Sequence, residues 1–386
     1  MKHLLVLAGQ YLRCNRLQSA ILVLGVAVTV YLPLTVNRLV SRYQTDLARR
    51  AAATPLVAGG LGSRFDLVLH GLYFRGNVPR LLKMADVDAM RATGYAEPVP
   101  LFLRNTAKQT PVVGTTPDYF ALRRLAVARG DLPLRLGDCI LGAEAAAAMK
   151  LGPGDRLLTD PENVFDIAGA YPLKMRVTGV LAASGTPDDR VVFTDIKTAW
   201  VIAGLGHGHQ DVTKPGADEN LLLGRTASNV TANAALPEFG EITTENIAGY
   251  HFHGDPADFP VSAILPVCPD AKAEALLRGR YLGAEARLQL LVPRAVVDEL
   301  FGMVFRIKRF FDANAALVAV STGAFLVLVV VLSLRLRRLE METMHRIGCA
   351  RGVMFRLVAV ELVVIGMTGA LLSVLASGLT LNLVNL

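Results

Sequence analysis

Residues Ser333 to Glu361 read SLRLRRLEMETMHRIGCARGVMFRLVAVE, a short basic connection between two hydrophobic runs. Each run is long enough to cross a bilayer, so this stretch decides the topology of the rest. Arg335, Arg337, Arg338, Arg346, Arg351 and Arg356 crowd into it. Such an excess of arginine in a short connection places it on the cytoplasmic side of a membrane.

Working outward, three charge-free runs stand out at 17–37, 313–334 and 362–386. Each is about 20 residues or longer, enough for a helix to cross roughly 30 Å of hydrocarbon. Apolar residues make up 52% of the chain and mean hydropathy is +0.41. That is too apolar for an ordinary soluble protein and too polar for a transporter that is mostly membrane. The intervening 38–312 has normal globular composition and enough chain for a real core.

With 335–361 cytoplasmic, 38–312 falls outside and 1–16 inside, where Lys2, Arg13 and Arg16 agree with the assignment. Arg38, Arg42, Arg306, Lys308 and Arg309 flank the outer segment, but large domains translocate largely regardless of charge. Leu4, Leu5, Ala8, Tyr11 and Leu12 share one helical face. Residues 1–16 therefore read as an interfacial amphipathic helix ahead of an uncleaved anchor rather than a signal peptide. The net charge of +7 clusters beside the spans and favours anionic lipid over nucleic acid as its partner.

Helical patterns continue past the first run through Leu39, Tyr43, Leu47 and Ala51, and precede the second through Val297, Leu300, Val304, Ile307 and Phe311. Both spans are expected to extend outward as stalks. Between them lies α/β material. Strands are expected at 65–69, 111–114, 156–158 and 175–181, and helices at 85–93, 144–150 and 270–281. Leu151-Gly-Pro-Gly-Asp155 reads as a turn, and 204–220, rich in Gly, His and Asp, as an exposed loop.

Of four cysteines, Cys14 and Cys349 fall inside and Cys139 and Cys268 outside. Spacing leaves open one external disulfide or two separate buried thiols.

Histidine carries the sharpest chemical signal. Of seven in the chain, four form two His-x-His pairs, His207 with His209 in GLGHGHQD and His251 with His253 in GYHFHGD. In extended backbone, residues two apart point to one face, so each pair presents two imidazoles together. Asp211 and Asp255 stand nearby as candidate oxygen ligands or outer acceptors. Imidazole suits zinc, copper or nickel better than calcium or magnesium. The competing reading is ordinary hydrogen-bonded loop and strand histidines, and one site or two are both left open.

No Gly-x-x-x-x-Gly-Lys-Ser/Thr loop occurs, and Ala58-Gly-Gly-Leu-Gly62 lacks the lysine, so nucleotide hydrolysis is expected on another chain. No Gly-x-Ser-x-Gly elbow, His-Glu-x-x-His helix or Cys–His nucleophile pair is read either, and the chain is not expected to be an enzyme. Glu361, near the inner end of the third run, is costly to bury in lipid. It marks either a functional group or a headgroup-level partner for Arg356 or a loop arginine at the positive end of a helix.

The order of motifs resembles the FtsX-like, MacB-type permeases of ABC transporters. Glu340, Gly348, Arg356 and Glu361 sit in that family's spacing around its cytoplasmic connection, with His345 where the family usually has Arg and Cys349 where it usually has Ala. Thr116-Pro-Asp-Tyr-Phe120, Gly130-Asp131, Leu141-Gly-Ala-Glu144, Met149-Lys-Leu-Gly-Pro-Gly-Asp155 and VTGVLAASGTPDDRVVF from Val177 to Phe193 resemble its periplasmic core domain in order.

The resemblance implies a membrane protein of the bacterial inner membrane. Its fold is an α-helical bundle of three spans, carrying an α/β extracytoplasmic domain of MacB periplasmic-core type on helical stalks. The expected organisation is 1–16 interfacial helix, 17–37 first span, 38–312 outer domain, 313–334 second span, 335–361 coupling loop and 362–386 third span. Family members usually have four spans; a shorter variant, a truncated sequence and a span supplied elsewhere are all left open.

The implied partners are a separate ABC ATPase, which binds the ATP, a second copy or a second permease, and a periplasmic binding or adaptor protein. The implied coupling residues are Arg335, Arg337, Arg338, Glu340, His345, Gly348, Arg356 and Glu361. HFHGD beside such a frame also resembles the subset linked to zinc handling. Metal-linked transport, export of a lipoprotein, peptide or small hydrophobe, and a non-transporting regulator of an envelope enzyme all fit the family.

Overall fold

The computed structural model describes residues 2–161, 172–209, 222–225, 230–232, 240–283, 287–336, 338–348 and 350–384. They divide into two compact units, one of 1–47 with 299–386, the other of 48–298.

The first unit is helical. Lys2–Cys14 forms the amphipathic helix expected at the N-terminus, and only Asn15 separates it from Arg16–Ala52. That second helix, of 37 residues, is about 55 Å long at 1.5 Å per residue, well beyond a hydrocarbon core. Pro293–Leu336 has 44 residues and Arg351–Val384 has 34. These three are long and apolar enough to cross a membrane.

The first and third spans meet through small residues, which lets backbones approach closely where no hydrophobic effect drives helices together. A Cβ at Gly369 would come within 2.9 Å of Val26. Ser373 donates to the Ala27 carbonyl at 2.7 Å, and the Tyr31 and Thr380 hydroxyls lie 2.8 Å apart.

The segment 335–361 differs from the expected loop. Most of it is helix: the second span runs to Leu336, a separate helix covers Arg338–Arg346, and Arg351 already starts the third. Good helix formers and the i,i+4 pair Arg338–Glu342, at 3.1 Å, explain why charge did not prevent helicity. The chain turns near Gly348, whose φ of +99° is open to glycine at little cost. There the Gly348 N–H donates to the His345 carbonyl at 3.0 Å, closing the helix end.

The second unit is α/β. Ten strands make one sheet in the order 288–291, 57–60, 263–267, 97–107, 110–115, 192–195, 138–141, 174–181 and 127–130, with 156–158 joined to 174–181. Most neighbours are antiparallel; 110–115 with 192–195 and 138–141 with 174–181 are parallel. Two apolar cores form on it. One gathers Val87, Met90, Phe102, Trp200, Phe259 and Ile264, the other Cys139, Leu157, Met175, Val177 and Val192.

Cys139 and Cys268 are free thiols in different cores, so the disulfide alternative is excluded. Burial pushes the Cys139 thiol well above its ordinary range.

Two local expectations fail. Residues 65–69 are not a strand but part of the helix Arg64–Tyr73. Ser63 caps it, accepting from the Asp66 N–H at 3.2 Å, and buries Leu67, Val68 and Leu72 on one face; the cap and that face outweigh the β-propensity of Phe-Asp-Leu-Val-Leu. Nor is 204–209 an exposed loop. Gly206–Gly208 is a strand with both glycines buried, and 210–220 lies outside the described residues.

Candidate metal centre

Gly206–Gly208 pairs antiparallel with Tyr250–Phe252, placing His207 opposite His251, Gly206 opposite Phe252 and Gly208 opposite Tyr250. Strand alternation then sorts the two faces. On the inner face each glycine lies under an aromatic ring: a Cβ at Gly206 would come within 2.6 Å of Phe252, and one at Gly208 within 2.5 Å of Tyr250. Phe252 packs against both cores and Tyr250 against the second, so the ribbon is clamped from below.

The outer face carries the histidines. Ring centroids of His207, His251 and His253 lie 4.8–4.9 Å apart, and His209 adds a ring 5.0 Å from His251 and 5.8 Å from His207. Nitrogens of His207, His251 and His253 all fall within 4.8 Å of one another, and Nε2 of His253 is 3.4 Å from Nε2 of His207. The His253 N–H donates to the Leu205 carbonyl at 3.2 Å, holding the end of the ribbon.

Nδ1 of His251 lies 3.3 Å from the Gly249 carbonyl. A carbonyl only accepts, so this contact puts the proton on Nδ1 and leaves the Nε2 lone pair open. Asp255 does not join the group; its carboxylate caps the next turn, accepting from the Ala257 N–H at 2.9 Å. Asp211 lies outside the described residues.

The expected coupling residues are spread over three helices. Arg335 lies in the last turn of the second span, Arg338, Glu340 and His345 lie on the short helix, Gly348 makes the turn, and Arg356 and Glu361 lie on the third span. Arg337 is outside the described residues. Arg335, Arg338, His345 and Arg356 are exposed. Glu361 is the exception, at 8% exposure. It sits ten residues into its helix and lines a small cavity with Tyr11, Gln18 and Ser19. This is a position packed inside the helical unit.

One further constellation was not read from sequence. Arg50 reaches Asp188 with two nitrogens, at 2.5 and 2.9 Å, and donates to the Tyr119 hydroxyl at 2.9 Å. Tyr119 in turn donates to Asp188 at 2.6 Å. Burial would raise the Asp188 pKa, but Arg50 and the hydrogen bonds from Arg50, Tyr119 and Thr186 hold it below the ordinary carboxylate range. This knot joins the TPDYF and GTPDD motifs, whose order was visible while their meeting was not.

A family model described as MacB-like periplasmic core domain matches residues 19–242, more than half of the chain. The chain belongs to that family. The match begins inside the first span and runs far into the outer domain, which agrees with the FtsX-like, MacB-type frame of ABC permeases. Among solved structures, the periplasmic region of MacB from Actinobacillus actinomycetemcomitans is 11% identical with a TM-score of 0.35, covering 66% of this chain and 97% of that one. The extracellular domain of the noncanonic ABC-type transporter YknZ from Gram-positive bacteria is 11% identical with a TM-score of 0.32, covering 61% and 98%. A search of the curated proteins returned no match.

Proposed function

We propose that this MacB-like chain is the membrane-spanning subunit of an ABC-type transporter in the bacterial inner membrane, working as a dimer with a separate ATPase. In this reading, closure of the ATPases on ATP pushes on the basic helix and turn between the second and third spans, and the long helices pass the movement to the outer domain. The observation that carries it is the exposed arginine-bearing connection, with Arg335, Arg338 and Arg356 all open to solvent, in a chain of the MacB-like family. Such a surface suits docking on another protein through charge-assisted contacts.

The test uses the chain co-purified with its ATPase in lipid nanodiscs. Reversing Arg335 and Arg338 to Glu, or replacing Gly348 with Leu, is expected to abolish the dependence of ATP hydrolysis on the permease while membrane insertion is retained. At Gly348 the cause is conformational, since φ of +99° disfavours any side chain by about 1–2 kcal/mol. Unaltered coupling in both variants overturns the proposal. Among cargo classes, the histidine face of the outer domain favours a transition metal, with zinc the first candidate, over a lipoprotein, peptide or small hydrophobe.

A further inference from the structure

We propose that His207, His251 and His253 form one transition-metal site on the outer face of the 206–208/250–252 ribbon, with His209 as an auxiliary fourth imidazole. The inference goes beyond ATPase coupling and does not depend on it.

Four observations converge. The first is position: three imidazoles from strands about 44 residues apart in sequence place their nitrogens within 4.8 Å of one another, because the register sets His207 directly opposite His251. The second is spacing. Two nitrogens bound to one tetrahedral zinc, each at about 2.0–2.1 Å, stand roughly 3.3 Å apart; the His207 and His253 Nε2 atoms are at 3.4 Å.

The third is tautomer. The Gly249 carbonyl at 3.3 Å from Nδ1 of His251 directs that ring's free lone pair to Nε2, the arrangement by which metal-binding histidines are usually oriented. The fourth is support. Gly206 and Gly208 leave room for the Phe252 and Tyr250 rings, so apolar packing anchors the inner face and the ligands stand on a fixed base.

The ligand class follows from the donors. An all-imidazole set selects zinc, copper or nickel and is poor for calcium and magnesium, which need oxygen ligands. With His207, His251 and His253 as the three firm ligands, the fourth position is left to the auxiliary His209 or to an exchanging ligand and is not permanently closed. Such a site exchanges its ion with a donor or acceptor molecule, whereas a closed four-ligand site serves structure.

The test uses the full-length chain without a polyhistidine tag, in nanodiscs and without nucleotide or ATPase, titrated with Zn²⁺ by calorimetry and with Co²⁺ by visible absorption. The expected result is one ion per chain, ligand-field bands of a four- or five-coordinate nitrogen site, and no competition by excess Ca²⁺ or Mg²⁺. His207→Ala/His251→Ala/His253→Ala together should remove binding, and His253→Ala alone should weaken it at least about tenfold, the scale set by lesser outer-shell losses. His209→Ala should weaken it less than His253→Ala.

Wild-type protein that binds no stoichiometric Zn²⁺, or a triple variant that binds as well as wild type, overturns the site. If the triple variant does not fold, as judged by Trp200 emission, the His253→Ala titration decides instead, and unchanged affinity there overturns it. Because no ATPase is present, failure of the coupling reading leaves this result untouched.

Discussion

Asp188 is 0% exposed and Arg50 6%, so their attraction acts with little screening, and removing either leaves the other charge buried and unpaired. Asp188→Asn is expected to destabilise the outer unit by about 3–5 kcal/mol, the range for breaking one side of a buried pair. Denaturant unfolding followed by Trp200, the single tryptophan of the chain, measures it. The acid dependence has two windows. Burial lowers the pKa of His70, and its Nε2 has no hydrogen-bond partner. The unfolded chain therefore binds a proton there that the folded chain does not, and stability falls as pH drops below about 6.5. His70→Gln should flatten that part of the curve. Asp188 acts lower, since a carboxylate held below its ordinary pKa loses its contribution as pH falls below about 3.9. Neither residue declared itself in the sequence. Arg50 is one of many basic residues near a span, and its partners lie 69 and 138 positions away; no local period connects them.

The histidine ribbon shows how far a period reaches. Alternation across His-x-His was enough to put two rings on one face. The register bringing the pairs together depends on chain closure over more than forty residues, which local spacing does not encode. Reading 204–209 as exposed loop failed for a related reason: glycines normally mark turns, yet Gly206 and Gly208 are here the small halves of glycine–aromatic cross-strand pairs. Phe252 and Tyr250 supply the missing bulk from the other strand, a partnership across sequence that no local pattern announces. Gly208→Ala should cost about 1–3 kcal/mol by forcing a methyl group against the Tyr250 ring. Combining it with Tyr250→Ala should cost less than the two single changes summed, a non-additivity that a double-mutant cycle measures. By contrast, helices at 84–91, 143–149 and 271–280 were legible because caps and apolar periods are local. Asp270, for instance, accepts from the Ala273 N–H at 2.7 Å and starts the last of them.

The spanning helices were the easiest part to read, since charge-free runs of about 20 residues have few alternatives. What composition did not reveal is that helix continues through most of the basic connection. Sidedness has a direct check. In a cysteine-free background, a cysteine at Thr343 on the short helix should react with a membrane-impermeant maleimide only after cells are opened. One at Lys272, exposed on the outer domain, should react in intact cells. The reverse pattern would remove the basis for ATPase docking.

Phe252 lies between two histidines in sequence, its ring 5.7 Å from Phe259, which is 5.0 Å from the indole of Trp200. The single tryptophan of the chain is thus linked through an edge-on and a tilted ring contact to the underside of the imidazole face. Arrival of a paramagnetic ion such as Cu²⁺ should dim its emission, giving the protein an intrinsic optical gauge of occupancy that needs no added dye.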